Sequence, residues 1–256
     1  MSELKKILYG EFGKNISGFR PITEPSDFNI MTLGCSNAYG QGLKDEEVFD
    51  FIIKQEIEKD YNIEVSNWNL AQAGKDSDFV KIIFNEYAKK LKPDLTIIWW
   101  PNFCRRFMFD KVENKFSTSL PSGGSDFNKF YLKYVSSDEQ DIYNWYYNCY
   151  LFVEHLSQIL DIDILHIAPD AFPYEAFDNH KLNIDEFLSG NLHMSGVERN
   201  VEGINFNWNE RVGMFYQVDD ISETDYHRGR ESHKLSGKEI YKFLKLNGYF
   251  KKLENE

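Results

Sequence analysis

The stretch that decides the fold is residues 29–36, which read NIMTLGCS. A short apolar run that ends in a turn signal is typical of a buried strand, so residues 29–33 are predicted to form the first strand. Gly34 begins the turn that follows, and the next helix is predicted over residues 46–59. Ser36 is therefore expected directly beyond the carboxyl end of a buried strand.

Strands and helices keep alternating along the rest of the chain. Further strands are predicted at residues 65–70, 95–100 and 162–168, and further helices at residues 78–91, 141–160 and 235–246. Continuous apolar strands separated by helices indicate a parallel sheet that is covered on both faces. The expected fold is therefore α/β: a three-layer α/β/α sandwich with a mainly parallel, flavodoxin-like sheet, in which ligands bind beyond the carboxyl ends of the strands.

Two stretches do not fit this alternation, at about residues 103–138 and 170–224. Each leaves the carboxyl end of a predicted strand, so both are expected to be irregular insertions that line the site. No repeat or linker-like tract divides the chain. Residues 1–256 are therefore predicted to form a single domain.

Composition excludes several classes of protein. The chain has 42% apolar residues, enough for a globular core, and a net charge of −12, which disfavours nucleic acid and anionic membrane surfaces as partners. The mostly apolar run at residues 95–100, which includes Thr96, is far shorter than the roughly 20 residues of a membrane-spanning helix. Three cysteines without a pairing pattern, and a first segment without a signal-like apolar stretch, predict a reducing, cytoplasmic location. The oligomeric state is left open.

Ser36 has three interpretations. Backbone N–H groups at a helix start can hold a developing negative charge, which suits a serine nucleophile. A lone serine at such a place is more often a helix cap. A nucleotide-binding loop would need a third glycine beyond Gly40 and Gly42, or a Gly-Lys-Ser/Thr ending, and the sequence has neither.

Near the other end of the chain, Asp225 and His227 lie before the final predicted helix. An aspartate two residues from a histidine can fix the imidazole tautomer, so that the other ring nitrogen can accept a proton from a serine. Such pairs also occur on ordinary surface loops, and His233 is an alternative base. The histidines and cysteines show no metal-ligand spacing, so no metal is expected; His166 lies inside a predicted strand and is expected to be an interior residue.

Four segments in this order resemble the SGNH (GDSL-like) hydrolase family. The family's Gly-Asp-Ser block corresponds to residues 34–36, with Cys35 in place of the aspartate. The glycine that follows the second strand corresponds to Gly74. The third block, normally Gly-x-Asn-Asp, corresponds to Asn102 without the glycine and the final aspartate. The last block, Asp-x-x-His, corresponds to residues 225–227 at a spacing one residue shorter.

The resemblance implies the SGNH hydrolase fold and a serine-dependent esterase that works through an acyl-enzyme. It implies Ser36 as the nucleophile, His227 as the general base and Asp225 as the acid that orients it. The N–H groups of Ser36 and Gly74, with the Asn102 side chain, would form the oxyanion hole. No metal or organic cofactor is implied, and the expected substrate is a small acyl ester, such as an O-acetylated carbohydrate. A non-catalytic binding module of the same fold, and an acyltransferase with the same triad, stay open.

Two further features concern the substrate. Arg105 and Arg106 follow Asn102 closely, so one of them could pair with a substrate carboxylate or phosphate, although such a pair is more often solvated or structural. Phe206 and Trp208 lie in an asparagine-rich context within the second insertion, which is a slight indication of carbohydrate contact.

Overall fold

The structure is a computed structural model that describes residues 18–21, 23–102, 105–110, 115–119, 144–167, 192–193, 200–201, 204–205 and 218–254. Its strands are β1 (Phe28–Gly34), β2 (Val65–Asn69), β3 (Leu95–Trp99), β4 (Arg106–Asp110), β5 (Lys115–Ser119), β6 (Asp163–Ile167), β7 (Leu192–His193), β8 (Asn200–Val201), β9 (Ile204–Asn205), β10 (Asp220–Ser222) and β11 (Asp225–Arg228). Its α-helices are α1 (Ser36–Tyr39), α2 (Phe49–Tyr61), α3 (Ser77–Leu91), α4 (Leu151–Leu160), α5 (Arg230–Leu246) and α6 (Lys251–Glu254). Within these stretches, no helix is both long and apolar enough to cross a membrane.

Five strands form one parallel sheet in the order β2–β1–β3–β6–β7. β1 is central to the site, because it pairs in parallel with β2 on one side and with β3 on the other. The register places Asn69 beside Thr32 and Trp99 beside Gly34. The carboxyl ends of β1, β2 and β3 therefore meet at one edge of the sheet, as the sequence predicts.

Helices cover both faces of this sheet. Successive side chains along a strand point to opposite faces. Accordingly, Trp99 packs against Phe49 of α2, with ring centroids 6.0 Å apart, whereas Trp100 packs against Trp145, which precedes α4, at 5.6 Å. α5 packs on α2, and α4 packs on α3. These contacts confirm the predicted three-layer α/β/α sandwich.

The structure departs from the sequence prediction in the two insertions. β4 and β5 pair as an antiparallel hairpin inside the first insertion, and β10 from the second insertion pairs with β11. β7, also from the second insertion, adds a fifth strand to the main sheet. The expectation of irregular structure is wrong for these parts, because short or polar strands carry too weak a pattern to be recognised without their partners.

Two histidines are buried in the core. The Trp100 indole N–H donates to Nδ1 of His166 at 3.1 Å, and Nε2 of His166 lies 3.0 Å from a carboxylate oxygen of Glu154. The Phe49 N–H donates to Nδ1 of His233 at 3.2 Å. Burial lowers the pKa of both rings, that of His233 to about 3. His166 is thus the interior residue that the sequence indicates.

These histidines are expected to make the protein less stable as the pH falls. The unfolded chain takes up a proton at His233 near pH 6.5, whereas the folded protein keeps the ring neutral down to about pH 3. Its contribution is therefore full above pH 6.5 and is lost as the pH falls toward 3, by up to about 1.4 kcal/mol per pH unit for one proton. Urea unfolding at several pH values in this range measures the slope. His233→Gln is expected to flatten it, and an unchanged slope in that variant would contradict the assignment.

Candidate active site

One side of the site is the turn between β1 and α1. Gly34 has a φ of +150°, and a Cβ there would lie only 2.4 Å from the carbonyl oxygen of Trp99. This close approach leads the chain into α1, which begins at Ser36 and is followed by Gly40 in the left-handed conformation. Ser36 is 6% exposed. It lies at the carboxyl edge of β1, where the sequence predicts the nucleophile.

The chain beyond β2 runs beside this turn. The Gln72 N–H donates to the carbonyl oxygen of Gly34 at 3.2 Å. Gly74 follows with a φ of +74°, and a Cβ there would meet no atom within 4 Å. Gly74 therefore borders open space close to the turn that carries Ser36.

The chain beyond β3 reaches the same edge. The Arg105 N–H donates to the carbonyl oxygen of Asn102 at 3.0 Å, and the Arg105 guanidinium donates to the carbonyl oxygen of Lys75 at 3.3 Å. Arg105 thus connects the turn after β3 with the turn that contains Gly74. In this contact the half-buried Arg105 has a structural role. Arg106 begins β4, and only its backbone is described.

The opposite side of the site is the hairpin β10–β11. Oδ1 of Asp225 lies 2.5 Å from Nδ1 of His227 and also accepts the His227 backbone N–H at 3.1 Å. These hydrogen bonds lower the pKa of Asp225 below its ordinary value, so the carboxylate stays ionised. Because an ionised carboxylate can only accept, Nδ1 carries the proton of this bond and Nε2 is left as the proton acceptor.

Two segments that lie far apart in the sequence meet at this edge. α1, which carries Ser36, packs against β11, which carries Asp225 and His227. Among the described side chains, the Ser36 hydroxyl and the His227 ring share no hydrogen bond. Catalytic hydrogen bonds are often long before substrate binds. The alternative base, His233, lies in the core with Nδ1 bound to the Phe49 N–H.

Asp219 fastens the β10–β11 hairpin to the start of α5. Its carboxylate accepts the Ser232 N–H at 2.7 Å, the Ser232 hydroxyl at 2.6 Å and the Glu231 N–H at 3.1 Å. These bonds satisfy N–H groups that a helix start leaves free, so α5 begins earlier than the sequence predicts. Sequence reasoning missed Asp219, because a capping residue normally adjoins its helix and this one lies across a hairpin.

Ser232→Ala is expected to lower the free energy of unfolding by about 2 kcal/mol, because several partners lose one buried hydroxyl. That hydroxyl also accepts the N–H groups of Val218 and Asp219 at 3.0 and 3.1 Å. Urea unfolding measures the loss. Ser236→Ala is the matched control: Ser236 is buried one turn later and donates to the Ser232 carbonyl, within one helix. Equal losses in the two variants would contradict the anchoring role.

Within the described residues, no group of three or more His, Cys, Asp or Glu side chains could hold a metal ion. Cys35 and Cys149 are buried and form no disulfide, and the Cys149 thiol donates to the Asp78 carboxylate at 3.8 Å. Phe206 and Trp208, the residues that hint at carbohydrate contact, lie outside the described residues.

No protein-family model matches the sequence, and no curated protein matches it. Solved structures do match. The psychrotrophic esterase EstA from Pseudoalteromonas sp. is 14% identical, with a TM-score of 0.50 over 86% of this chain and 98% of that chain. A protein assigned to the lipolytic G-D-S-L family, from Desulfitobacterium hafniense, is 13% identical, with a TM-score of 0.47 over 84% and 99% of the two chains. The acetylxylan esterase Axe2 from Geobacillus stearothermophilus, in a catalytic-mutant form, is 13% identical, with a TM-score of 0.47 over 87% and 94%.

The parallel sheet and its flanking helices define an α/β/α protein with a candidate site at the carboxyl edge of the sheet. The likeness to EstA shows that this chain shares the fold of that esterase.

Proposed function

We propose that this protein is a serine-dependent ester hydrolase of the SGNH type. The observation that carries the proposal is the 2.5 Å hydrogen bond between Asp225 and His227, on a hairpin that packs against the helix of Ser36. An alcohol, an imidazole held in one tautomer and an ionised carboxylate are the groups that acyl transfer to a serine requires. The fold shared with the esterase EstA is consistent with this reaction.

The mechanism assigns one proton path to the three side chains. Nε2 of His227 takes the Ser36 proton as the hydroxyl oxygen attacks the ester carbonyl. Asp225 holds Nδ1–H and stabilises the imidazolium, which then protonates the departing alcohol and leaves an acyl group on Ser36. Water that is deprotonated by His227 attacks this acyl group, releases the carboxylic acid and restores the serine.

Three donors are assigned to the oxyanion of the tetrahedral intermediate: the N–H groups of Ser36 and Gly74 and the side-chain amide of Asn102. They follow β1, β2 and β3, whose carboxyl ends meet at one edge. The Ser36 N–H begins a helix, so it has no acceptor within that helix. Each preorganised donor of this kind lowers the barrier by roughly 3 kcal/mol.

A small acyl ester, such as an acetylated carbohydrate, is the proposed substrate class. The open space at Gly74 leaves room for the ester beside the proposed oxyanion donors. One nitrogen of the Arg105 guanidinium donates to the Lys75 carbonyl, so this part of its donor set serves the structure and not the substrate. Aryl acetate is accordingly expected to be cleaved faster than aryl octanoate.

Fluorophosphonate labelling followed by peptide mass mapping tests the proposal. We expect one adduct on the peptide that contains Ser36, together with hydrolysis of aryl acetates. A protein that neither reacts nor cleaves would be a non-catalytic module. Acyl transfer to an added sugar that outcompetes hydrolysis would instead make it an acyltransferase.

A further inference from the structure

The helix α1 is a single turn, and the N–H groups that follow it donate only to its first two carbonyls, those of Ser36 and Asn37. Two side chains from other parts of the chain bind the carbonyls that come next. The carbonyl oxygen of Ala38 accepts from the Asn69 amide at 2.9 Å. The carbonyl oxygens of Tyr39 and Gly40 accept from the Arg20 guanidinium at 2.5 and 2.6 Å. Asn69 and Arg20 therefore fix the position of α1 at its carbonyl end.

Arg20 is itself firmly held. It is 7% exposed, and its backbone N–H donates to the Asn69 carbonyl at 3.3 Å. Its guanidinium also donates to the carbonyl of Leu43 at 3.0 Å, pairs with the Asp45 carboxylate and lies 4.7 Å from the centre of the Tyr39 ring. The planar guanidinium presents five donors in a fixed geometry, which a lysine cannot reproduce. A loss of Arg20 would therefore remove its donors from the Tyr39 and Gly40 carbonyls, although Gly40 would keep its bond from the Leu43 N–H.

Asn69 links the same helix to the turn of Gly74. Its amide donates to the Asp50 carboxylate at 2.8 Å as well as to Ala38, and its oxygen accepts the Ala71 N–H at 3.1 Å. Burial raises the pKa of Asp50, and hydrogen bonds from its neighbours oppose this. One buried amide thus fixes both the carbonyl end of α1 and the start of the chain that leads to Gly74.

We propose that Arg20, together with Asn69, is a positioning residue for ester hydrolysis, because it sets the place of the Ser36 hydroxyl and N–H by binding the carbonyl end of α1. This inference rests on the proposed function. Neither residue touches the substrate in this role. A misplacement of reacting groups by about 1 Å can cost about 100-fold in rate, so a clamp remote from the ester can control turnover.

A cavity beside Arg20 makes this role open to chemical rescue. The cavity has a volume of about 170 Å³, and its walls include Arg20, Asp50, Asn67 and Asn69. Arg20→Ala would enlarge it by most of the arginine side chain. Added guanidinium ion can then enter and offer its donors to the Tyr39 and Gly40 carbonyls, whereas urea has the same planar shape without the charge.

The test compares Arg20→Ala with the wild type in aryl acetate hydrolysis. We expect kcat to fall about 100-fold with little change in KM, because the turn moves while the substrate surface is kept. Millimolar guanidinium is expected to raise kcat of Arg20→Ala at least about 10-fold, because it supplies the missing pair of donors. Urea is expected to give no such increase. Arg20→Lys keeps the positive charge but not the planar set of donors, so its kcat should fall about 10-fold. This variant replaces Arg20→Ala in the test if the alanine variant does not fold.

Arg230→Ala is the matched control, because Arg230 is an exposed arginine that pairs with Glu47 at 2.5 Å. Amide hydrogen exchange of residues 36–43 should be faster in Arg20→Ala than in the wild type, and not faster in Arg230→Ala. Unchanged kcat in both Arg20 variants, or unchanged exchange in this segment, would overturn the proposal. If the wild type itself cleaves no ester, the proposed function fails and the exchange experiment alone decides whether Arg20 positions the turn.

Discussion

Ser36→Ala is expected to lower kcat for aryl acetates by about 10⁶-fold, leaving only the residual rate that the oxyanion donors and substrate binding supply. The change removes one oxygen from a buried position and leaves the backbone of α1 intact. Without the hydroxyl no acyl-enzyme can form, and the Asp225–His227 pair has only water to activate. Steady-state kinetics on the purified variant, with thermal unfolding to verify the fold, measure the effect.

Two further variants make this result specific. Ser77→Ala is the matched control, since Ser77 also begins a helix beyond a strand and is 2% exposed, yet it has no proposed role in catalysis. Its activity is expected to stay close to that of the wild type. Asp225→Asn should lower kcat by about 10⁴-fold, because an amide no longer holds the same tautomer of His227. Substantial activity in Ser36→Ala would show that Ser36 is not the nucleophile.

Gly34→Ala is expected to cost about 4 kcal/mol of stability, because the unfavourable φ and the steric overlap add together. The added Cβ would lie 2.4 Å from the Trp99 carbonyl oxygen and 2.6 Å from the Ala38 Cβ, at a φ of +150°. The first of these atoms belongs to the backbone of the central sheet and cannot move aside without disturbing it. Urea unfolding of the purified variant measures the loss.

Gly74→Ala separates the two causes. Gly74 also has a positive φ, +74°, but an added Cβ would meet no atom within 4 Å. Only the conformational cost of about 1–2 kcal/mol is therefore expected. A loss in Gly34→Ala no larger than that in Gly74→Ala would show that the turn after β1 adapts, and that the close approach to β3 does not require glycine.

The central strands were predictable because they are buried on both faces. All five residues of β3 are buried, and this produces the apolar run that the sequence shows at residues 95–100, where only Thr96 is polar. β1 and α3 likewise begin and end within a residue or two of their predictions. A strand or helix that is buried on one or both faces has a regular pattern of apolar residues in its sequence. Such a pattern can be recognised without knowing the partner element.

The hydrogen bonds that hold the candidate site in place have no such pattern in the sequence. Asp219 caps a helix from across a hairpin, and Arg20 binds a helix from a segment that precedes β1. Both are charged residues in polar contexts, which the sequence alone would assign to the solvated surface. Their partners are backbone groups far along the chain, so neither spacing nor residue type indicates the contact.

Local pattern thus accounts for the parallel α/β architecture and for the placement of Ser36 beyond its first strand. The meeting of α1 with β11, the tautomer imposed on His227 by Asp225, and the binding of α1 by Arg20 and Asn69 depend on the closed tertiary structure. The physical reason is that hydrophobic periodicity is encoded by neighbours in the sequence. Hydrogen bonds between distant segments exist only after the sheet has brought their atoms to within about 3 Å.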